Sequence, residues 1–505
     1  MTSVRSLLHK EITYEEAKDC RSNILLQLRY PQERRKLYQR IYKHRPSIQE
    51  RIAHHLGLHS PSVCRVEDPL TWRYGSFNLC VPVTVENGKR LIIRFPLPYR
   101  VGDNTHPGNS DEKLRCEAAT YTLFQETCPD VRVPHLYGFA LSTGQTFTAV
   151  QHLPLLTRLM YSIRRRLRSW LGYPVPSNYV QHPTGTSNAL GGYLLLEYID
   201  ERDGQMLSTT WEAGRANPKL RQNLYRGISR IQLSLAQQIF PKIGSLTIDG
   251  EGFARLENRP LTMDIQMSEN EGIPVPIPRS RTYSTVDSYV NDVLRCHDNR
   301  LSYQPNAAQS ASDCAAQMSA LALMRTVRPA FFEADDSRGP FSPCLTDFHQ
   351  SNLIVDSEWN LKALLDLEWT AVLPSAFIQP PIWLTDELGD MITTETYNTQ
   401  REEFMESLKL EEVSLQPSRL ISSAMNRNWE SGTFWYILAL QNPTALLDFF
   451  YHRLQPLFCK EHQGDPELYY KTYPYWTRNA TDFITLKVKH RMEFEAELQR
   501  AFTHS

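Results

Sequence analysis

Between residues 77 and 97 the chain reads FNLCVPVTVENGKRLIIRFPL. Apolar residues recur at every second position on both sides of Glu86-Asn87-Gly88. That period predicts two strands, and the Asn-Gly pair supplies the positive φ angles of a tight hairpin. After a polar loop from Val101 to Ser110, DEKLRCEAATYTLFQET has helical spacing, until Pro129 and Pro134 stop it ahead of a short strand, HLYGFAL. Upstream, residues 12–57 are charged and helical in pattern, with Leu37, Ile41 and Tyr42 set for one face and Pro46 as an interruption. Residues 155–190 look inserted: a basic amphipathic helix, then a loop rich in Pro, Gly and Ser. Arg164, Arg165, Arg166 and Arg168 in that helix fit a membrane-surface or anionic-ligand patch, or a solvated helix face, and the solvated face is the reading preferred from sequence.

YLLLEYID, Tyr193 to Asp200, reads as a buried strand with a polar end. From Gln222 onward helical spacing dominates, as in NLYRGISRIQLSLAQQI, over 311–328 and between 430 and 504. A polar tract near 270–310 and an acidic one near 395–418 read as surface excursions. With no internal repeat, the order predicts an α+β, bilobal fold: a helical extension (1–65), a small β-rich N-lobe (66–197, with the insertion) and a large mainly helical C-lobe (198–505).

Composition narrows the class. The 505 residues are 41% hydrophobic and 22% charged, as in soluble globular proteins. A net charge of −1 argues against bulk-charge binding to nucleic acid or an anionic membrane. Nine scattered cysteines with no C-x-x-C pair suit reduced thiols rather than disulfides or zinc. No apolar run reaches the ~20 residues of a membrane span. The N-terminal stretch lacks a secretory core; Arg5 and Lys10 hint faintly at a mitochondrial transit peptide, but Glu11, Glu15 and Glu16 follow, and a cytoplasmic protein is expected.

The chemistry concentrates in PCLTDFHQSNLIVD, Pro343 to Asp356. Phosphoryl transfer from ATP asks a protein to cradle phosphates, hold Mg²⁺ and align a hydroxyl. Asp347 is placed to accept or orient the hydroxyl proton, Asn352 to reach Mg²⁺ five positions on, and Asp366 to end the following hairpin as the main metal ligand. Taken alone, the pattern also fits a hairpin with polar turns. Upstream features agree in order: Gly75 and Ser76 in a turn suited to phosphate oxygens, Arg94 on a strand where a basic group meets the α/β phosphates, and Glu117 on the next helix as its partner. Glu197, Tyr198 and Ile199 form the linker where adenine would meet backbone groups. Singly, Arg94 also reads as an edge-strand surface charge, and Glu117 reads more readily as a solvated helix glutamate.

With these residues assembled, the chain resembles the aminoglycoside phosphotransferase (phosphotransferase enzyme) family, a branch of the protein-kinase-like fold, and in particular its fungal members of unassigned substrate. DFHQSN is similar to that family's D-L-H-x-x-N, and LLDLEW to its strand-ending I-I-D-W/L-E-W. YGSFN, GYLLLEYI, IGSL, NRPL, GPF and PPIWLT extend the likeness from about Trp72 to about Leu384. The resemblance implies Asp347 as catalytic base, Asn352 and Asp366 as Mg²⁺ ligands, Arg94 in place of the strand lysine with Glu117 as its partner, and residues 197–199 as hinge. It implies ATP and Mg²⁺ as cofactors and a small hydroxylated metabolite as acceptor. Leu345 departs from the family's first loop histidine, so the loop must be braced by packing. Arg94 is bulkier and more diffuse in charge than lysine. Asp200, Glu201 and Asp203 would suit a cationic acceptor, though an exposed loop is the preferred reading. The competing function is a pseudokinase-like nucleotide-binding or scaffolding protein. A protein kinase is disfavoured, since no D-F-G or A-P-E occurs.

Overall fold

The alternation around residues 77–97 becomes the middle of an eight-stranded antiparallel sheet. The computed structural model describes residues 4–86, 88–183, 190–332, 335–385, 392, 394–463 and 465–503. Two short paired strands, β1 (Val4–Ser6) and β2 (Glu11–Thr13), precede helix α1 (Tyr14–Asp19). Helices α2 (Tyr30–Lys43) and α3 (Arg45–Leu56) follow, with Pro46 in the first turn of α3, where its missing N–H leaves no helix bond unmade. The expected interruption is thus a helix start.

The sheet then takes β3 (Cys64–Val66), β4 (Arg73–Tyr74), β5 (Asn78–Val85) and β6 (Arg90–Pro96). Helix α4 (Asn109–Thr127) leads to β7 (Leu136–Ala140) and β8 (Gln145–Ala149), helix α5 (Leu155–Trp170), β9 (Tyr179–Pro183) and β10 (Tyr193–Glu197). Their order across the sheet is β3-β5-β6-β10-β7-β8-β9, with β4 on β5. Asn87 of the expected turn lies outside the described residues; Gly88 has a φ of 81°. Strand β9 pairs with β8 within a stretch read from sequence as loop, so its Pro content did not prevent an edge strand. Leu37, Ile41, Ile48 and Ile52 of α2 and α3 share a core with Val81, Val83 and Ile93 of the sheet.

Strand β10 leads into the C-lobe, which opens with β11 (Gln205–Met206), α6 (Leu207–Gly214), α7 (Pro218–Ala236) and the hairpin β12 (Ser245–Ile248)–β13 (Ala254–Asn258). Helices α8 (Met263–Asn270), α9 (Val286–Tyr303) and α10 (Ala311–Val327) follow, then β14 (Phe341–Leu345), β15 (Leu353–Val355), β16 (Leu361–Leu364) and β17 (Thr370–Pro374). Among the later helices are α11 (Thr394–Leu415), α12 (Thr433–Gln441) and α13 (Ala480–Thr503). The expected α+β class, a small β-rich lobe and a large mainly helical one, is what the chain builds.

Two expectations fail here. The tracts near 270–310 and 395–418 are not surface excursions. Helix α9 buries Tyr289, Val290, Leu294 and Leu301, and α11 buries Tyr397, Phe404 and Leu408 while packing on α7. High mean polarity hid apolar positions that recur at helical spacing.

Helix α4 positions the site. It is buried on all sides because β7 and β10 flank it in the N-lobe while β12, β13 and β17 of the C-lobe close over it. Its buried Glu112 accepts Arg259 Nε (2.9 Å) and Nη2 (2.8 Å), and Arg259 also bonds Glu269 of α8 through Nη1 (2.7 Å) and Nη2 (2.9 Å).

Candidate active site

The loop that follows β14 is fixed from several sides. Leu345 ends β14 opposite Thr370 of β17 and packs against the main core. Thr346 donates its N–H (3.2 Å) and hydroxyl (2.6 Å) to Trp369 O, and Trp383 Nε1 donates to Phe348 O at 2.7 Å. Ladder pairing and packing therefore hold the loop at Leu345. Asn352 donates Nδ2 to Asp347 O at 2.6 Å, and its own carbonyl accepts Leu365 N–H at 2.7 Å. One residue thus ties the Asp347 backbone, through its side chain, to the base of the β15–β16 hairpin, through its main-chain carbonyl. At the far tip Trp359 stacks on Trp211 of α6 at 5.5 Å, which anchors the hairpin to the lobe.

Asp366 has a φ of 57°, in the left-handed region that Asp tolerates better than most side chains. In this conformation its Oδ1 accepts Arg94 Nη1 at 3.0 Å. Arg94 lies on β6 between β5 and β10, opposite Cys80 and Leu194. It is a central-strand cation, not an edge-strand charge. Its Nη2 pairs with Glu117, which α4 buries completely. A second chain runs beside the first. Lys113, one turn before Glu117 and fully buried, pairs with Glu368, donates to Asn78 Oδ1 (2.8 Å) and stands 3.8 Å from Glu117 Oε2. Asn78 Nδ2 in turn donates to Glu368 Oε2 at 2.7 Å.

These contacts set the titration of the group. Burial would raise Glu368, but Lys113 and Arg94 more than offset it and hold the carboxyl below its ordinary range. Asp366 is pushed up by burial and by the Glu368 charge, with Arg94 and Lys113 opposing. Asp347 is pushed up to about 6 by burial, with His349 opposing and Asp366 and Glu368 adding. His349 Nε2 stands 3.9 Å from Asp347 Oδ1, while its Nδ1 accepts Ser351 N–H at 3.2 Å, so the ring is oriented by the loop it belongs to.

Asp347, Asn352 and Asp366 line one small hollow between the loop and the hairpin. The turn bearing Gly75 and Ser76 reaches it through Phe77, whose ring meets Trp369 edge-on at 5.2 Å. Gly75 N–H closes that turn on Asn78 O (2.9 Å). Residues 197–199 stand apart from this network. Glu197 bonds Arg132 (3.3 Å) and His135 N–H (3.0 Å), and Tyr198 stacks under Arg90 at 3.8 Å.

On the C-lobe side Asp347 also faces a cavity of about 670 Å³, walled by Trp211, Tyr289, Trp383 and Arg300 among others. Asp264 of α8 lines the same space and is pushed up to about 7 by burial, with Arg300 opposing and Asp347 adding. Asp200 and Asp203, the acidic residues noted beyond the linker, instead stand within 4 Å of Arg90, Arg202 and Arg132. Sequence reasoning missed Lys113 and Asp264. The spacing of Lys113 to Glu117, four apart on one helix, was a usable signal; LTMDIQ around Asp264 carried none.

No protein-family model matches the chain, and no curated protein matches it. Solved structures with a similar arrangement include aminoglycoside phosphotransferase APH(4)-Ia, at 9% identity and a TM-score of 0.37, covering 87% of this chain and 98% of that one. A thermostable mutant of the same phosphotransferase in ternary complex with AMP-PNP and hygromycin B gives 9% identity and 0.36, with 80% and 97% covered. An ethanolamine kinase of Plasmodium vivax gives 10% identity and 0.33, with 83% and 85% covered. At TM-scores this low the likenesses assign neither family nor activity, and the chemistry of this site rests on its own residues.

Proposed function

We propose that this chain is an ATP- and Mg²⁺-dependent O-phosphotransferase of the aminoglycoside phosphotransferase type, acting on a hydroxyl of a small-molecule acceptor. The observation that carries the reading is the convergence of Asp347, Asn352 and Asp366 on one hollow that opens beside a 670 Å³ cavity. The donor set fits the cofactor. Mg²⁺ is usually held by one or two carboxylates plus substrate phosphates and water, and oxygen donors from Asp366 and Asn352 satisfy that demand. Ser76 and Arg94 would meet the phosphates, and Tyr198 and Ile199 the adenine. When bound, Mg-ATP supplies the transferable phosphoryl group and the charge that neutralises it.

The remaining work belongs to side chains. Asp347, ionised, accepts a hydrogen bond from the acceptor hydroxyl, aims its oxygen and takes up its proton. Asn352 holds the Asp347 backbone at a fixed depth. Glu117 restrains Arg94, and Lys113 with Asn78 restrains Glu368, so the cations keep their positions without relying on the ligand. The cavity walls exclude water from an acceptor seated against Asp347.

One observation favours a second reading, a nucleotide-binding protein without turnover: Arg94 is bonded straight to Asp366, the carboxylate the metal needs. The two are separated by calorimetric titration of Mg-ATP followed by ADP release over a library of alcohols. Asp366→Ala is expected to weaken Mg-ATP binding and abolish turnover. Turnover that survives this substitution would overturn the catalytic assignment, and tight nucleotide binding with no turnover on any acceptor would select the second reading.

A further inference from the structure

Helix α5 is docked with its polar side inward. Leu156, Met160, Ile163, Leu167 and Trp170 recur at three- and four-residue spacing and form one face. A helix resting on a globular domain ordinarily buries that face, but no residue of α5 is buried. Leu156 is 76% exposed, Met160 72% and Trp170 80%. The opposite side makes the contacts with the protein. Tyr161 donates to Ser177 O at 2.5 Å, Arg165 pairs with Glu126 at 3.0 Å, and Arg168 donates to Pro174 O at 2.7 Å while lying over Phe253. These bonds fix the rotation of the helix, so the apolar stripe is presented outward by construction. Of the four arginines read from sequence as a solvated face, Arg164 and Arg166 are exposed, while Arg165 and Arg168 turn toward the protein.

The charge on the helix names the occupant. Residues 155–170 hold five arginines and no acidic residue, in a chain whose net charge is only −1. Arg165 and Arg168 serve the inward contacts; Arg158, Arg164 and Arg166 are exposed. Trp170 and Tyr173, both largely exposed, stand at the C-terminal end of the stripe, amphipathic rings of the kind that settle at a membrane–water boundary. We infer that α5 is a peripheral membrane anchor: its apolar face enters the headgroup–acyl boundary of an anionic bilayer while Arg164 and Arg166, which flank that face, meet lipid phosphates. No helix among the described residues is long and apolar enough to cross a membrane, so this contact is with the surface alone.

The test uses the full chain sedimented with vesicles of phosphatidylcholine alone or mixed with phosphatidylserine. Binding to the anionic vesicles is expected to exceed that to the neutral ones by about tenfold or more, and to weaken with added salt. Met160→Gln/Leu167→Gln, in the middle of the stripe, is expected to lower the anionic partition about tenfold, and Arg164→Glu/Arg166→Glu to do the same. All four side chains are exposed, so the thermal midpoint of either variant should match the parent. Absence of binding to anionic vesicles overturns the inference, as does binding indifferent to Met160→Gln/Leu167→Gln, which would reflect bulk charge. A dimer seen by light scattering and dissolved by the same pair, without vesicle binding, would assign the face to a second copy of the chain and equally overturn it.

Discussion

As the proposed base, Asp347 is held between demands that oppose each other. A base must be ionised to accept a proton, yet burial against Asp366 and Glu368 favours its neutral form and moves it up to about 6. The sign follows directly. Below about pH 6 Asp347 carries a proton and cannot take another; above it the carboxylate is ready. Phosphoryl transfer at saturating substrate is therefore expected to rise as pH increases through about 6 and then level. Asp347→Asn is expected to lose about 10²–10⁴-fold in rate and to flatten that rise, while Mg-ATP affinity stays near the parent value. ADP release followed across pH, with titration calorimetry of the variant, checks both. A parent profile flat from about pH 5 to 8 would remove Asp347 as the titrating base.

Helix α4 is the element on which the site depends, and Arg259 is what couples it to the C-lobe. The guanidinium is almost completely buried between Glu112 of α4 and Glu269 of α8. Removing the cation strips buried Glu269 of its cationic partner and leaves Glu112 paired with Arg279 Nε (3.1 Å), and a buried carboxylate stripped of its partner costs about 3–5 kcal/mol. Arg259→Met is expected to destabilise the protein by that amount in chemical denaturation. Glu112→Gln/Arg259→Met/Glu269→Gln, which leaves no buried charge behind, should cost markedly less. Equal losses would mean that the triad acts through packing rather than charge. Much at this scale was legible in the sequence. Alternation at 79–85 and 91–95 marks β5 and β6 because one period places every second residue on one face. The span from Asp347 to Asp366 marked the loop and hairpin because polar residues there interrupt apolar strands. Helices α9 and α11 were hidden, since their few apolar positions are outnumbered by charges. Lys113 was hidden for a different reason: a lysine in a helix reads as solvated until the sheet on one side and the β12–β13 hairpin on the other are known to enclose it.

Across the whole molecule, the two ends of the chain close on each other. Ile12, Ala17 and Ile24 form a small core of their own with Phe494, Leu498 and Phe502 of α13. Arg491 Nη2 donates to Lys18 O at 2.7 Å, Asn306 Nδ2 donates to Cys20 O (3.0 Å) and Ser22 O (2.8 Å), and Arg21 pairs with Asp448 at 3.2 Å. The first thirty residues thus fasten to the C-lobe, whereas α2 and α3 pack on the N-lobe sheet, where His55 of α3 joins Thr148 (2.9 Å) and Tyr193 (3.0 Å). A segment that is continuous in sequence straddles both lobes and limits how far they can part. Deleting residues 1–28 should therefore loosen the end of the chain most distant in sequence. The loss of Ile12 and Ile24 alone exposes about 1.5–3 kcal/mol of apolar burial for each side chain. Hydrogen exchange of α13 is expected to speed up strongly, while β5, β6 and β10, buried in the N-lobe sheet, keep their protection. Exchange that rises equally in the sheet and in α13 would show one cooperative unit instead of a strap, and unchanged exchange in α13 would show that the contact holds nothing.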